Sequence, residues 1–204
     1  VFLEQMGKKI AIVTGASRGI GAAIADNLGT SNYFVIGTST SGYGKSEGVS
    51  KWIKVDFNNN NETENFISEI KKLESIEILI NNAAINIIED QSVLTSGDYE
   101  KIEKINLKVP FMISREVAII MAKSNTGKII NISSIWSVIT KKKRTLYTTM
   151  KSALNGLTRS MAIEWAEDNI LINSISTGFV NTELTQKSLG AEEIKELSQQ
   201  IPLK

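Results

Sequence analysis

The amino-acid sequence predicts a doubly wound α/β fold, a parallel sheet with helices on both faces. Three observations point there. Short apolar runs alternate with segments of helical periodicity along the whole chain, the pattern left by right-handed βαβ crossovers. The first apolar run stops at a glycine-rich turn that opens directly into a helical segment. The polar residues that carry chemistry fall just after the apolar runs, where sites form in such sheets. A length of 204 residues predicts one domain, 1–204, with a substantial core.

The elements follow in order. Ile10-Ala11-Ile12-Val13 is apolar on both faces and ends at Gly15, as a buried parallel strand does. Ile20, Ile24 and Leu28 then recur at helical spacing. Tyr33 to Ile36 is the second strand and Trp52 to Val55 the third; the Gly/Ser-rich stretch from Ser41 to Ser50 between them has only weak helix character. Phe66, Ile70 and Leu73 mark a helix, and Ile76 to Ile80 is the fourth strand, ending at Asn81-Asn82. A long helical region from Gly97 to Lys123 is expected to bend near Pro110. Lys128 to Ile132 is the fifth strand and Ile170 to Ile175 the sixth. Between them Met150, Leu154, Leu157, Met161 and Trp165 stripe a helix. Glu192 to Gln199 reads as a last short helix.

Composition excludes several chemistries. The chain has no His and no Cys, which removes Ser–His and Cys–His nucleophile pairs, thiolates, disulfides and the usual zinc ligands; no metal site is expected. A net charge of +1, spread over both signs, carries no nucleic-acid or membrane signature. No run reaches the ~18 apolar residues of a membrane span. Val1 to Gln5 is too short for a signal peptide, and Met6-Gly7-Lys8-Lys9 has the look of a native start. A soluble cytoplasmic protein is expected.

Two local patterns carry chemistry. Thr14-Gly15-Ala16-Ser17-Arg18-Gly19-Ile20-Gly21 joins the first strand to the first helix. Gly15 permits a tight turn, and Gly19 and Gly21 allow close approach of backbone to a ligand. The helix N-terminus then offers free N–H groups and a positive dipole to a pyrophosphate. The spacing is Gly-x3-Gly-x-Gly, distinct from G-x-G-x-x-G, and no P-loop Lys follows. The second pattern is Tyr147 and Lys151, four residues apart and so on one helix face, with Ser134 thirteen residues upstream. An ammonium near a phenol favours the phenolate, so Lys151 is expected to lower the Tyr147 pKa. The phenol can then exchange a proton with a carbonyl or alcohol.

With these residues in place the chain resembles the short-chain dehydrogenase/reductase family, from Lys8 to its end. The segment Thr14 to Gly21 is similar to the family's coenzyme loop. Asn81-Asn82-Ala83-Ala84 is similar to its Asn-Asn-Ala-Gly motif, with Ala84 in place of Gly. Asn106, Ser134, Tyr147 and Lys151 resemble its catalytic tetrad in order and spacing. Thr177-Gly178-Phe179-Val180-Asn181-Thr182 resembles its Pro-Gly motif, with Thr177 in place of Pro.

The resemblance implies a Rossmann-type sheet and hydride transfer between nicotinamide and a carbonyl carbon. Tyr147 would be the acid or base and Ser134 would hold the substrate oxygen. Lys151 would tune Tyr147 and bind the nicotinamide ribose, and Asn106 would order a water relay. Gly15, Ser17, Arg18, Gly19, Ile20 and Gly21 would hold the cofactor with Thr38, Asp56, Asn82, Tyr147, Lys151, Val180 and Thr182. Of these, Asp56 would meet the adenine, Val180 the carboxamide and Thr182 a phosphate. The family also continues beyond a segment like Ile201-Pro202-Leu203-Lys204 with one more strand and helix, so a fragment, or a dinucleotide-binding protein with impaired catalysis, stands as a rival reading. It further implies a homo-oligomer, dimer or tetramer, paired through the long helices; Ile113, Val117, Ile120 and Met121 look like surplus apolar surface on the first of them.

Cofactor and substrate are read from charge. A site that prefers NAD places an acid after the second strand; here the stretch is Gly37-Thr38-Ser39-Thr40-Ser41. With Arg18, and Lys45 in second place, able to pair with a 2′-phosphate, NADP is expected over NAD. The run Lys141-Lys142-Lys143-Arg144 is either a solvated loop or a handle for an anionic substrate. Trp136 and Ile139 either line the pocket or pack. Within the family the look is closest to 3-oxoacyl-carrier-protein reductases, and also to sugar and polyol reductases. The acidic end Glu164-Trp165-Ala166-Glu167-Asp168 weighs against docking of an acidic carrier protein.

Overall fold

The structure, a computed structural model, describes residues 9–182 and 190–200. The expected start at Met6 and the segment Ile201-Pro202-Leu203-Lys204 lie outside them. The strands β1 (Ile10–Val13), β2 (Phe34–Ser39), β3 (Lys51–Lys54), β4 (Ile78–Asn81), β5 (Gly127–Ser134) and β6 (Ile170–Thr177) form a sheet in the order β3-β2-β1-β4-β5-β6. Every pairing is parallel. The helices are α1 (Gly19–Thr30), α2 (Asn60–Lys71), α3 (Ser96–Glu103), α4 (Val109–Ala122), α5 (Thr145–Glu164) and α6 (Ala191–Gln200). The doubly wound α/β sheet is as the sequence predicts. Among the described residues, no helix is long and apolar enough to cross a membrane.

The alternation of strand side chains builds two cores. Ile10 and Ile12 of β1 face one layer with Phe66 and Ile70 of α2, Ile113 and Val117 of α4, and Met161 of α5. Ala11 and Val13 face the other, against Ile24 and Leu28 of α1. Burying one such Ile or Phe fully contributes ~1.5–3 kcal/mol, so the apolar runs decide which segments become central strands. A line of buried polar bonds also crosses the first layer. Asn81 Nδ2 donates to Ser114 Oγ of α4 and to Asn131 Oδ1 of β5, both at 2.8 Å. Asn131 Nδ2 donates to Thr158 Oγ1 of α5 at 2.9 Å. This line fixes α5 against β5, and α5 carries Tyr147.

Two local findings sharpen the expectations and a third corrects one. No helix joins β2 to β3. Instead residues 40–50 fold back over α1: Asp26 accepts bonds from Ser46 Oγ at 2.7 Å and from the Gly48 N–H at 2.9 Å. The Lys45 N–H reaches the Ser17 carbonyl at 3.0 Å, and a Cβ at Gly44 would lie 2.4 Å from Ser17 Cα. Glycine is what allows the segment to lie directly on the loop. Second, the long helical region breaks over Lys104–Lys108, a π turn between α3 and α4, just before Pro110. A π turn inserts one residue into the ladder and bends the axis; Pro110, without an N–H, fits the restarted first turn. Third, Ile113, Val117, Ile120 and Met121 are all buried against the sheet. Their spacing is that of one helix face, and that face meets the core; Phe111 and Ile119 are the exposed apolar residues of α4.

Candidate active site

A cleft of about 380 Å³ opens at the carboxyl ends of the strands. The chain winds from β1 outward to β3, then returns to place β4 on the other side of β1, which makes β1/β4 the switch point where such sheets bind ligands. The lining draws on every strand end: Thr38 and Ser39, Val55 and Asp56, Gly15, Asn82, Ser133 and Ser134, Thr177. Six strands at ~4.8 Å spacing span roughly 24 Å, a span suited to an elongated ligand.

At the switch point the loop is built for close approach. Gly15 and Gly19 have positive φ of 65° and 58°, which side chains disfavour. The α1 N-terminus has no side-chain cap, so its first N–H groups lack intrahelical partners. Thr182 closes over it, with its Cγ2 at 3.2 Å from where a Cβ on Gly19 would stand. Ser17, Arg18, Gly19 and Ile20 line the cleft, and Arg18 is exposed. Gly21 is buried and does not line it. A Cβ there would meet the Gly15 carbonyl at 2.3 Å and Asn82 Nδ2 at 2.5 Å, so Gly21 serves packing rather than ligand approach. Asn82 Nδ2 donates to the carbonyls of Thr14 and Gly15 at 3.0 Å, holding the turn. Thr38, expected just beyond β2, lies within it; its hydroxyl accepts the Gly15 N–H at 3.1 Å. The open helix end, the crowded glycines and the adjacent Thr182 fit a pyrophosphate cradle.

The other end of the cleft holds Ser134, Tyr147 and Lys151. Ser134 is at the tip of β5; its Oγ accepts the Trp136 N–H at 3.2 Å, and its hydroxyl acts to lower the Tyr147 pKa. Lys151 is 3% exposed. Its ammonium donates to the Ile132 carbonyl at 2.6 Å and lies 5.7 Å from the Tyr147 ring centre. Asp56, Val180 and Thr182 line the cleft as well. Thr177 ends β6, its hydroxyl reaching the Ser133 carbonyl at 3.3 Å, so strand pairing takes the place of a fixed Pro. Ala84 is absent from the residues with positive φ, which is why Ala serves there.

The family model for short chain dehydrogenases matches residues 9–193. This chain belongs to the short-chain dehydrogenase/reductase family. It is 36% identical over 209 residues to a 3-oxoacyl-[acyl-carrier-protein] reductase, FabG, of Buchnera aphidicola, covering 97% of this chain and 83% of that protein. Among solved structures it is similar to 4-hydroxyisoleucine dehydrogenase complexed with NADH, at TM-score 0.84 and 32% identity, covering 94% of this chain and 82% of that one. It is also similar to ElxO with NADP bound, at TM-score 0.80 and 28% identity, covering 94% and 82%. The protein is a nicotinamide-dependent oxidoreductase that acts on alcohol or ketone groups.

In this short-chain dehydrogenase the surroundings of Asn106 are more specific than the sequence gives, and one expectation needs revision. Asn106 sits in the π turn, 1% exposed, and does not line the cleft. Its Oδ1 accepts the Ile85 N–H at 2.9 Å and its Nδ2 donates to the Ile85 carbonyl at 2.8 Å. Both ends of the amide are engaged with the Ile85 backbone, so its side chain positions a cleft-lining residue. The Tyr147 pKa is raised, not lowered. Burial pushes the phenol up, and the Ser134 hydrogen bond and the Arg144 charge offset that only in part. Lys151 spends its ammonium on Ile132 and meets the ring rather than the hydroxyl.

Of the run Lys141-Lys142-Lys143-Arg144, Arg144 lines the cleft. Asn86, which the sequence reading did not single out, lines it too, and its Oδ1 is buried with no hydrogen-bond partner among the described residues. Of the two apolar residues weighed for the pocket, Trp136 lines it, while Ile139 is 55% exposed and does not.

Burial brings the Lys151 pKa down to about 8, against ~10.4 in an unfolded chain. Between these values the unfolded chain binds more protons, so stability rises with pH across that window. Lys151→Met removes the titrating group. The stability of the parent relative to this variant is therefore expected to increase by up to roughly 3 kcal/mol from pH 7.5 to 10, measured by urea unfolding at each pH. A difference that stays flat contradicts the buried ammonium.

Proposed function

We propose that the chain is an NADP(H)-dependent carbonyl reductase, with binding and chemistry in a single domain. The observation that carries this is that Ser134 and Tyr147 line one end of a cleft beside the buried Lys151, and the other end of the cleft has the form of a pyrophosphate cradle. When bound, the nicotinamide supplies or accepts the hydride. The protein's part is the proton and the oxygen. A phenol held above its ordinary pKa is protonated at neutral pH and ready to donate to a carbonyl oxygen. Ser134 Oγ gives that oxygen a second hydrogen bond as charge develops. With a pKa of about 8, Lys151 is mostly an ammonium at pH 7 and stabilises the phenolate that remains. Asn106 acts through Ile85 as a positioning residue.

The charge around the β2 end supports NADP. Thr38, Ser39 and Thr40 line the cleft there, none of them acidic, and Arg18 is exposed beside them. A second reading, reduction of 3-oxoacyl groups on a carrier protein, is supported by likeness to FabG and by the exposed Lys141 over Trp136 at 5.9 Å. Exposed Phe111 and Ile119 on α4 support a homo-oligomer. A chain without cysteine needs no oxidising compartment, which supports a cytoplasmic setting.

Tyr147→Phe removes the proton donor and leaves the pyrophosphate end untouched. Its single-turnover oxidation of NADPH is expected to fall ~10²–10⁴-fold while NADPH still binds; turnover at the parent rate overturns the role. The parent is expected to bind NADPH more tightly than NADH, and Arg18→Ala to narrow that gap by about tenfold, the worth of one charge-assisted pair. Equal affinities for both cofactors in the parent, by fluorescence titration, remove the basis for the NADP assignment.

A further inference from the structure

The connection from β5 to α5 is fastened to α5 by a stripe of polar side chains. Thr148, Ser152 and Asn155 stand at i, i+4 and i+7 of the helix, so they share one face. Each of the first two follows directly on Tyr147 and Lys151. Thr148 Oγ1 meets Thr140 Oγ1 at 3.0 Å. Ser152 Oγ donates to the Ser137 carbonyl at 2.9 Å, and Asn155 Nδ2 donates to Ser137 Oγ at 2.8 Å. Ser137 passes the contact on, its Oγ donating to the Ser134 carbonyl at 2.6 Å. Ser134 is thus tied to the same helix that carries Tyr147.

The direction of these bonds follows from the protons available. A hydroxyl has one, and that of Ser137 is engaged by the Ser134 carbonyl. The Ser137 oxygen can then only accept, and Asn155 supplies the N–H; Ser176 Oγ is a more distant neighbour at 3.4 Å. The other end of the amide is left unmet: Asn155 Oδ1 is buried with no hydrogen-bond partner among the described residues. A buried oxygen without a partner disfavours the fold. An apolar side chain at this position avoids that cost, so what the amide adds is its bond to Ser137.

The turn Ile135–Ser137 is what this bond holds. Within it the Trp136 N–H donates to Ser134 Oγ at 3.2 Å, which occupies a lone pair of the hydroxyl and leaves its proton free to donate. Trp136 itself lines the cleft and meets Phe179 edge-on at 5.8 Å. The next residue after the turn, Val138, is 81% exposed, so Ser137 secures the outer end.

We propose that Asn155 is a positioning residue for the reaction: acting through Ser137, it holds the turn that aims the Ser134 hydroxyl at the substrate oxygen beside Tyr147. This rests on the carbonyl-reduction reading and deepens it.

The test compares the parent, Asn155→Asp, Ser134→Ala and the double variant. NADPH oxidation by the full chain is followed with a panel of oxo acids, their ethyl esters and their N-acetylcysteamine thioesters, each rate divided by the concentration of NADPH-binding sites. Asp keeps the shape of Asn, but a carboxylate donates nothing and draws the Ser137 proton away from the Ser134 carbonyl. With the compound reduced fastest, Asn155→Asp is expected to lower kcat about tenfold, the worth of one hydrogen bond, and to leave the NADPH dissociation constant unchanged. In the Ser134→Ala background the same substitution is expected to lower kcat less than about twofold, because effects that run through one contact do not add. Equal losses in the two backgrounds, or no loss in either, overturn the proposal. If the parent reduces none of the panel, it is the carbonyl-reduction reading that fails, and amide hydrogen exchange in protein with isotope-labelled tryptophan then decides the clamp separately. The Trp136 amide, bonded to Ser134, is expected to exchange about tenfold faster in Asn155→Asp relative to the Trp165 amide, as a locally loosened turn does. An unchanged ratio overturns the clamp.

Discussion

The bond from the Lys151 ammonium to the Ile132 carbonyl, 2.6 Å long and almost wholly out of water, is the interaction on which the site depends. A buried charge with poor partners is expensive, so this one persists only if α5 stays against the end of β5. The fold supplies that contact twice over. The apolar stripe of Met150, Leu154 and Met161 is buried, and the Asn81–Asn131–Thr158 line ties the same helix to β5 and β4. Ser133 adds a further bond to the Lys151 carbonyl at 3.4 Å. With α5 held there, Tyr147 one turn earlier falls beside Ser134 without further provision.

The burial that fixes Lys151 also sets the chemistry. Desolvation lowers the ammonium pKa to about 8 and raises that of the phenol, which moves the two groups apart on the pH scale, so the phenol keeps its proton over the range in which the ammonium can lose one. Cations in the neighbourhood act in the opposite sense on the phenol: Arg144 draws its pKa down. At the far end the demands are steric rather than electrostatic. The chain reaches Gly15 in a left-handed turn, and Gly21 lets α1 approach the Gly15 carbonyl and Asn82.

Much of this was legible in the sequence, and for identifiable reasons. The strands were readable because fully buried parallel strands are apolar on both faces, and the motif residues lie at their carboxyl ends because the topology puts them there. The boundaries were read short by two or three residues at β2, β5 and β6, since polar residues such as Thr38, Ser134 and Thr177 end those strands while facing a cleft. The bonds of Asn106 to Ile85 were not legible, because spacing gives a residue's position and not what its amide bonds. The same holds for Ile113 and Val117, whose face is settled only by packing. Arg144 was hidden in a run of cations; burial alone separates it from Lys141, Lys142 and Lys143. The segment 40–50 carries only weak helix character, and its glycines are the available sign that it lies flat on a neighbour.

The central claim is that this cleft transfers hydride to a carbonyl with Tyr147 as the proton donor. Stopped-flow oxidation of NADPH under single-turnover conditions, with hydrogen or deuterium at nicotinamide C4, tests it most directly. The predicted result is a single exponential with an oxo acid, slowed several-fold by deuterium, with the label recovered on the former carbonyl carbon of the product. Bound NADPH that stays reduced in the presence of every oxo acid and thioester, or label that appears in solvent instead, contradicts it.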